Sequence, residues 1–157
     1  LYFKSGLLFR KRDSIELIKV LDKLISIHPD KPYYYGAKGN YLLWMGKIKE
    51  SQDLIVKAFE MYESYLKKDD KDFNLHFEYI NLLIVAGDTS KARSHLNALK
   101  KGQWSQDQKE TIALYERDFD KYNIDKYNIY VERLKMFWKG NISLQELELM
   151  PQDNISF

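Results

Sequence analysis

The chain has no cysteine. Disulfides, thiolate zinc sites and cysteine nucleophiles are therefore excluded. Proline (3) and glycine (7) are scarce among its 157 residues. So few breakers leave room for long helices and little for a turn-dense β architecture. Long apolar runs are missing too. The longest, Leu82 to Ala86, is far too short to cross a bilayer, so membrane insertion is not expected. Nor is there an excess of one charge: 25 basic and 23 acidic residues leave a net +2. Nucleic-acid binding calls for a basic patch or stripe, and no such partner is expected. The densest basic run, Arg10-Lys11-Arg12, reads as a solvated turn.

What is present is an ordinary globular composition, with 45% hydrophobic and 31% charged residues. The length fits one domain able to bury a core. Aromatics reach 15%, with 12 tyrosines. Leu1 to Gly6 resemble the remnant of a cleavable expression tag, with Lys4 where such a tag carries Gln. The sequence opens without Met and without a visible signal peptide. The cytoplasm and, after signal removal, the periplasm or exterior both stay open as compartments.

Periodicity places the helices. Ile15, Ile18, Leu21 and Ile25 recur at helical steps behind the cap pair Asp13 and Glu16. His28-Pro29 ends that helix and Pro32 opens the next, which runs from about Tyr33 to Trp44 and stops at Gly46. A third runs from about Lys49 to Leu66. The polar stretch from Lys67 to Asp72 then reads as a solvated connection. A fourth spans about Phe73 to Val85 and stops at Gly87. A fifth follows Asp88 and carries Ala92, Leu96 and Leu99. Further on, Ser105 with Gln108 and Ser143 with Glu146 are capping boxes. Between them, Tyr127, Tyr130, Val131, Leu134, Phe137 and Trp138 form a clear amphipathic stripe ended by Gly140. No strand pattern appears, so the expected class is all-α.

Two segments repeat. Gly39 to Ile48 align on Ile80 to Thr89 through Gly46 and Gly87, and a small residue follows each turn, Ser51 or Ala92. In this the chain resembles the tetratricopeptide repeat family, whose first-unit slots hold Tyr35, Gly39, Gly46, Ser51 and Ala58. The second unit keeps Gly87, Asp88 and Ala92, and departs with His76, Ile80 and Leu99. Gly46 and Gly87 are 41 residues apart, against about 34 in that family. The resemblance covers residues 33–100, extends to 13–30 as the second half of a preceding unit, and is out of register after 103. It implies antiparallel helix pairs stacked as a short right-handed solenoid. Its parts are a partial helix or tag remnant at 1–12, units at 33–66 and 73–101, and a degenerate repeat and cap at 105–157 over the last open face. A piece of a longer array is also consistent with it.

Function follows from the same resemblance. The family's first helices line a concave groove that holds a partner's peptide or helix. The groove slots here are Tyr33, Asn40 and Trp44 in one unit and Asn74, Phe77, Asn81 and Val85 in the next. Asn40 and Asn81 share a slot, where an amide can both donate to and accept from a peptide backbone. Part of the family grips chaperone C-terminal carboxylates. Gly36 and Glu78 replace the Lys and Asn which that clamp needs, and Glu78 repels a carboxylate, so that partner is not expected. The implied role is a non-catalytic scaffold or adaptor for an unidentified protein or peptide. Two alternatives stay open: an enzyme or accessory domain with a pocket between helices, and an inhibitor or immunity-type protein. His28, His76 and His95 fall at no metal spacing, and no nucleophile, phosphate or calcium motif calls for a cofactor.

Overall fold

The computed structural model describes residues 8–121 and 124–148; the side chains of 118, 120, 121, 124–128, 130 and 148 are not described. The described residues are helical with connecting turns and no strand. The helices are α1 (Ser14–Ile27), α2 (Pro32–Trp44), α3 (Ile48–Lys68), α4 (Phe73–Val85), α5 (Thr89–Leu99), α6 (Gln106–Lys121), α7 (Ile124–Trp138) and α8 (Leu144–Glu148), with a further helical turn at 8–10.

Their ends follow from local chemistry. Asp13, Asp72 and Asp88 each accept an amide proton of the first turn, from Glu16, Leu75 and Lys91. The capping boxes at Ser105/Gln108 and Ser143/Glu146 form in both directions. Gly46 and Gly87 end α2 and α4 with φ of +82° and +84°. At each, the glycine N–H donates to the carbonyl three residues back, and the next N–H reaches five back. These are the hydrogen bonds of a left-handed C-cap, which glycine adopts without Cβ strain.

Consecutive helices pack on one another from α1 to α6. At the α2–α3 pair the backbones come close: a Cβ on Gly39 would lie 2.7 Å from Ile55 Cγ1 and 3.2 Å from the Ser51 carbonyl oxygen. Ser51 and Ala58 are fully buried there. Helix α4 is central. Its sequence is apolar almost all round, and His76, Phe77, Tyr79, Ile80, Leu82, Leu83 and Ile84 are all buried. It also touches α2, with Leu82 against Gly36.

The C-terminal helices divide their contacts: α6 packs on α5, and the rest turns elsewhere. Helix α7 packs on α2, and α8 packs on α7. Leu134, Phe137 and Leu147 form a cluster with Trp44 and Phe9, and Trp138 joins a second cluster around Leu17 and Leu21. Phe9 is the hub, with the rings of Tyr41, Trp44, Phe137 and Trp138 between 5.5 and 5.9 Å from it. Residues 124–148 thus return to the first helices. The reason is their aromatic content: Phe137 and Trp138 find their apolar partners at Phe9 and Trp44. Of the segment read as a partial helix or tag, residues 1–7 lie outside the described residues, and Leu8 is buried core. Arg12, read as part of a solvated turn, is half-buried over the Phe137 ring.

Candidate partner-binding groove

Helices α2, α4 and α7 line a half-open cavity of about 400 Å³. Each helix contributes one stripe. From α2 come Tyr33, Asn40 and Trp44, spaced so that they share a face. From α4 come Glu78, Asn81 and Val85, three and four residues apart for the same reason. Val131 and Leu134 of α7 close the opposite side, and the Tyr62 ring of α3 also lines the cavity. A second cavity of about 560 Å³ lies beside it, between the α1–α2 and α3–α4 connections, and includes Asp30, Tyr65 and Asn74 in its wall. Tyr33 and Glu78 line both, so the two form adjoining parts of one trough.

Five of the seven groove residues named from sequence therefore meet at one cavity: Tyr33, Asn40, Trp44, Asn81 and Val85. Asn74 is exposed and lines the neighbouring cavity. Phe77 lines neither cavity. It is buried, because the Tyr115 ring of α6 stands edge-on to it with centroids 4.5 Å apart and Phe73 lies 4.6 Å away on its own helix. Asn81 is turned partly to the same tyrosine, exchanging a 3.4 Å hydrogen bond with its hydroxyl.

Three polar groups give the cavity its chemistry. Asn40 Oδ1 and Trp44 Nε1 are buried and have no hydrogen-bond partner among the described residues. An orphaned buried donor or acceptor costs about 1–3 kcal/mol, so both are unusual in a wall that packs well otherwise. Glu78 is half-buried and accepts from the Tyr62 hydroxyl at 3.1 Å. Burial pushes its carboxyl above the usual range, and the Tyr62 donor offsets part of that. Burial, then the Glu78 charge, drives the Tyr62 hydroxyl strongly upward, so it stays protonated and donating.

A second polar cluster lies outside both cavities. His76 of α4 and His95 of α5 meet at 2.9 Å, and His76 Nε2 lies 2.8 Å from the Asp70 carbonyl oxygen. A carbonyl can only accept, so His76 carries a proton on Nε2; when its ring is neutral, its Nδ1 accepts from His95 Nε2–H. Burial, with His76 and Lys91 nearby, pulls His95 down to about 4. The sequence reading treated these histidines singly. The signal that pairs them was available: His76 lies eleven residues before Gly87 and His95 eight after it, which a tight helical hairpin brings level.

No group of three or more His, Asp or Glu side chains among the described residues is placed to hold a metal ion. No helix among them is long and apolar enough to cross a membrane. No protein-family model, no curated protein and no solved structure matches the chain.

Proposed function

We propose that the chain is a non-catalytic protein- or peptide-binding scaffold of tetratricopeptide-like build, and that its binding face is the trough between α2 and α4. One observation carries this reading. Tyr33, Asn40, Trp44, Asn81 and Val85, chosen from two separate stretches of sequence as groove positions, line a single cavity. Its walls mix aromatic surface with a few polar groups, the usual composition of a recognition site. The tight α2–α3 pair, with Gly39 against Ser51 and Ile55, supports the repeat-like build.

The test is affinity capture with the whole chain, compared among three single substitutions. Trp44→Ala and Asn40→Ala should lose the partner, while Ile15→Ser, at a residue 71% exposed on α1, should keep it. Circular dichroism confirms that each variant stays helical. Retention of the same partner by both folded groove variants would remove this reading.

A further inference from the structure

The residue shared by the two cavities is a carboxylate with little to hold it. Among the described residues, the Tyr62 hydroxyl is Glu78's one hydrogen-bond partner. An ionised carboxylate offers about four acceptor positions. Lys31 is near enough to favour its charge, yet no ion pair to Glu78 forms among the described residues. Resting on the groove reading above, we propose that the trough takes a basic peptide segment, whose Lys or Arg side chain pairs with Glu78 while a neighbouring apolar side chain enters the cavity between α2, α4 and α7.

The surroundings of Glu78 complement a cation. The larger cavity has four carboxylates in its wall, Asp30, Asp69, Asp72 and Glu78, against two lysines, Lys31 and Lys68. Asp69 and Asp72 already accept the backbone N–H groups of Lys71 and Leu75. Lys68 leans toward the Tyr65 ring, 5.9 Å from its centroid. Glu78 is thus the carboxylate set deepest, half-buried where Asp30, Asp69 and Asp72 are exposed. The rings of Tyr33, Tyr34 and Tyr65 add faces that attract an ammonium or guanidinium group.

A separate observation points to a polypeptide as the carrier of that cation. The smaller cavity's wall holds one unpartnered acceptor, Asn40 Oδ1, and one unpartnered donor, Trp44 Nε1. Both atoms are closed off from solvent, so a peptide unit, which supplies one donor and one acceptor, meets them once the Asn40 and Trp44 side chains turn toward the trough. The apolar surface of Trp44, Leu82 and Val85 then receives an adjacent side chain.

Selection from a displayed library of short random peptides on the immobilised whole chain tests the proposal, followed by fluorescence anisotropy with the peptides recovered. The expected peptides carry Lys or Arg beside an apolar residue, and bind more weakly as salt rises. Glu78→Gln, which keeps an acceptor for Tyr62, should weaken a selected basic peptide about tenfold. It should leave the same peptide's Lys→Gln analogue unchanged. Recovery of neutral or acidic peptides, or a loss of less than about twofold in Glu78→Gln, overturns the cation assignment alone if Trp44→Ala or Asn40→Ala still abolishes binding. Binding indifferent to both Trp44→Ala and Asn40→Ala overturns the groove reading and this proposal with it, as does a library that yields no binder.

Discussion

The Arg12 guanidinium lies 4.3 Å from the centre of the Phe137 ring, on its face. The same side chain donates to the Ile142 carbonyl, so one residue before α1 holds both α7 and the turn after it. The arrangement explains an oddity of the backbone. Arg12 has φ of +55°, a left-handed conformation that costs a non-glycine residue about 1–2 kcal/mol. Its contacts offset that strain.

Arg12→Ala is therefore expected to lower the stability of the whole fold by about 1–2 kcal/mol, from the lost cation–π contact and hydrogen bond. Arg12→Gly loses the same contacts but relieves the backbone, so it should be the more stable of the two. Urea unfolding of both variants checks this. An Ala variant as stable as the Gly variant would show that the left-handed turn contributes nothing.

The small residues of α2 make a graded prediction. A Cβ on Gly39 meets Ile55 at 2.7 Å and the Ser51 backbone oxygen at 3.2 Å, and that oxygen cannot move without its helix. A Cβ on Gly36 meets only the end of the Leu82 side chain, at 3.0 Å. Overpacking costs about 1–3 kcal/mol, while glycine to alanine within a helix gains up to about 1 kcal/mol. Gly39→Ala should thus be clearly destabilising and Gly36→Ala close to neutral. Thermal unfolding of the pair decides it; equal midpoints would mean that α2 and α3 are not in tight contact.

That contrast also marks what the sequence made legible. Gly39, Ser51 and Ala58 signalled a close helix pair because close approach demands small side chains. Asp13, Asp72, Asp88, Gly46 and Gly87 signalled helix ends because their chemistry is local. The return of α7 to α2 had no such signal. The contact of Phe137 with Phe9 spans most of the chain, and an amphipathic stripe states that a face is buried without stating against what. The place of Phe77 outside both cavities is hidden for the same reason. Its face was apparent, but the cover supplied by Tyr115 was not.

The His76–His95 pair makes stability depend on pH. His95 takes up its proton near 6.5 when unexposed to the fold's constraints and near 4 within it. Between those values the unfolded chain binds more protons. The pair's contribution is therefore complete above about 6.5, declines as pH falls, and levels off below about 4. The groups acting on it are His76 and the Tyr79 ring from α4, and Lys91 from its own helix. Carboxylates such as Glu63, held low by Lys91 and Tyr79, also weaken the fold in acid. The difference between wild type and His95→Gln isolates the histidine, since Gln retains a donor toward His76. That difference in unfolding midpoint should change through the window and stay flat outside it. A constant difference from neutral pH to pH 4 would exclude His95 as the titrating group.

Asn40 separates stability from binding. Its Oδ1 is buried without a partner, and such an atom costs about 1–3 kcal/mol that an apolar side chain of similar shape does not. Asn40→Leu should therefore raise stability by about 1 kcal/mol, even though it fills a half-buried position beside Trp44 and Val131. The same change removes the acceptor that the proposed partner's backbone would meet. A more stable chain that binds the selected peptides more weakly is the expected pair of results, read by urea unfolding and fluorescence anisotropy. Functional sites commonly carry this trade, because a polar group kept for a ligand is unsatisfied until the ligand arrives. If Asn40→Leu destabilises the chain, Oδ1 has a partner in the folded protein after all. If it stabilises the chain and leaves binding intact, Asn40 does not face the partner.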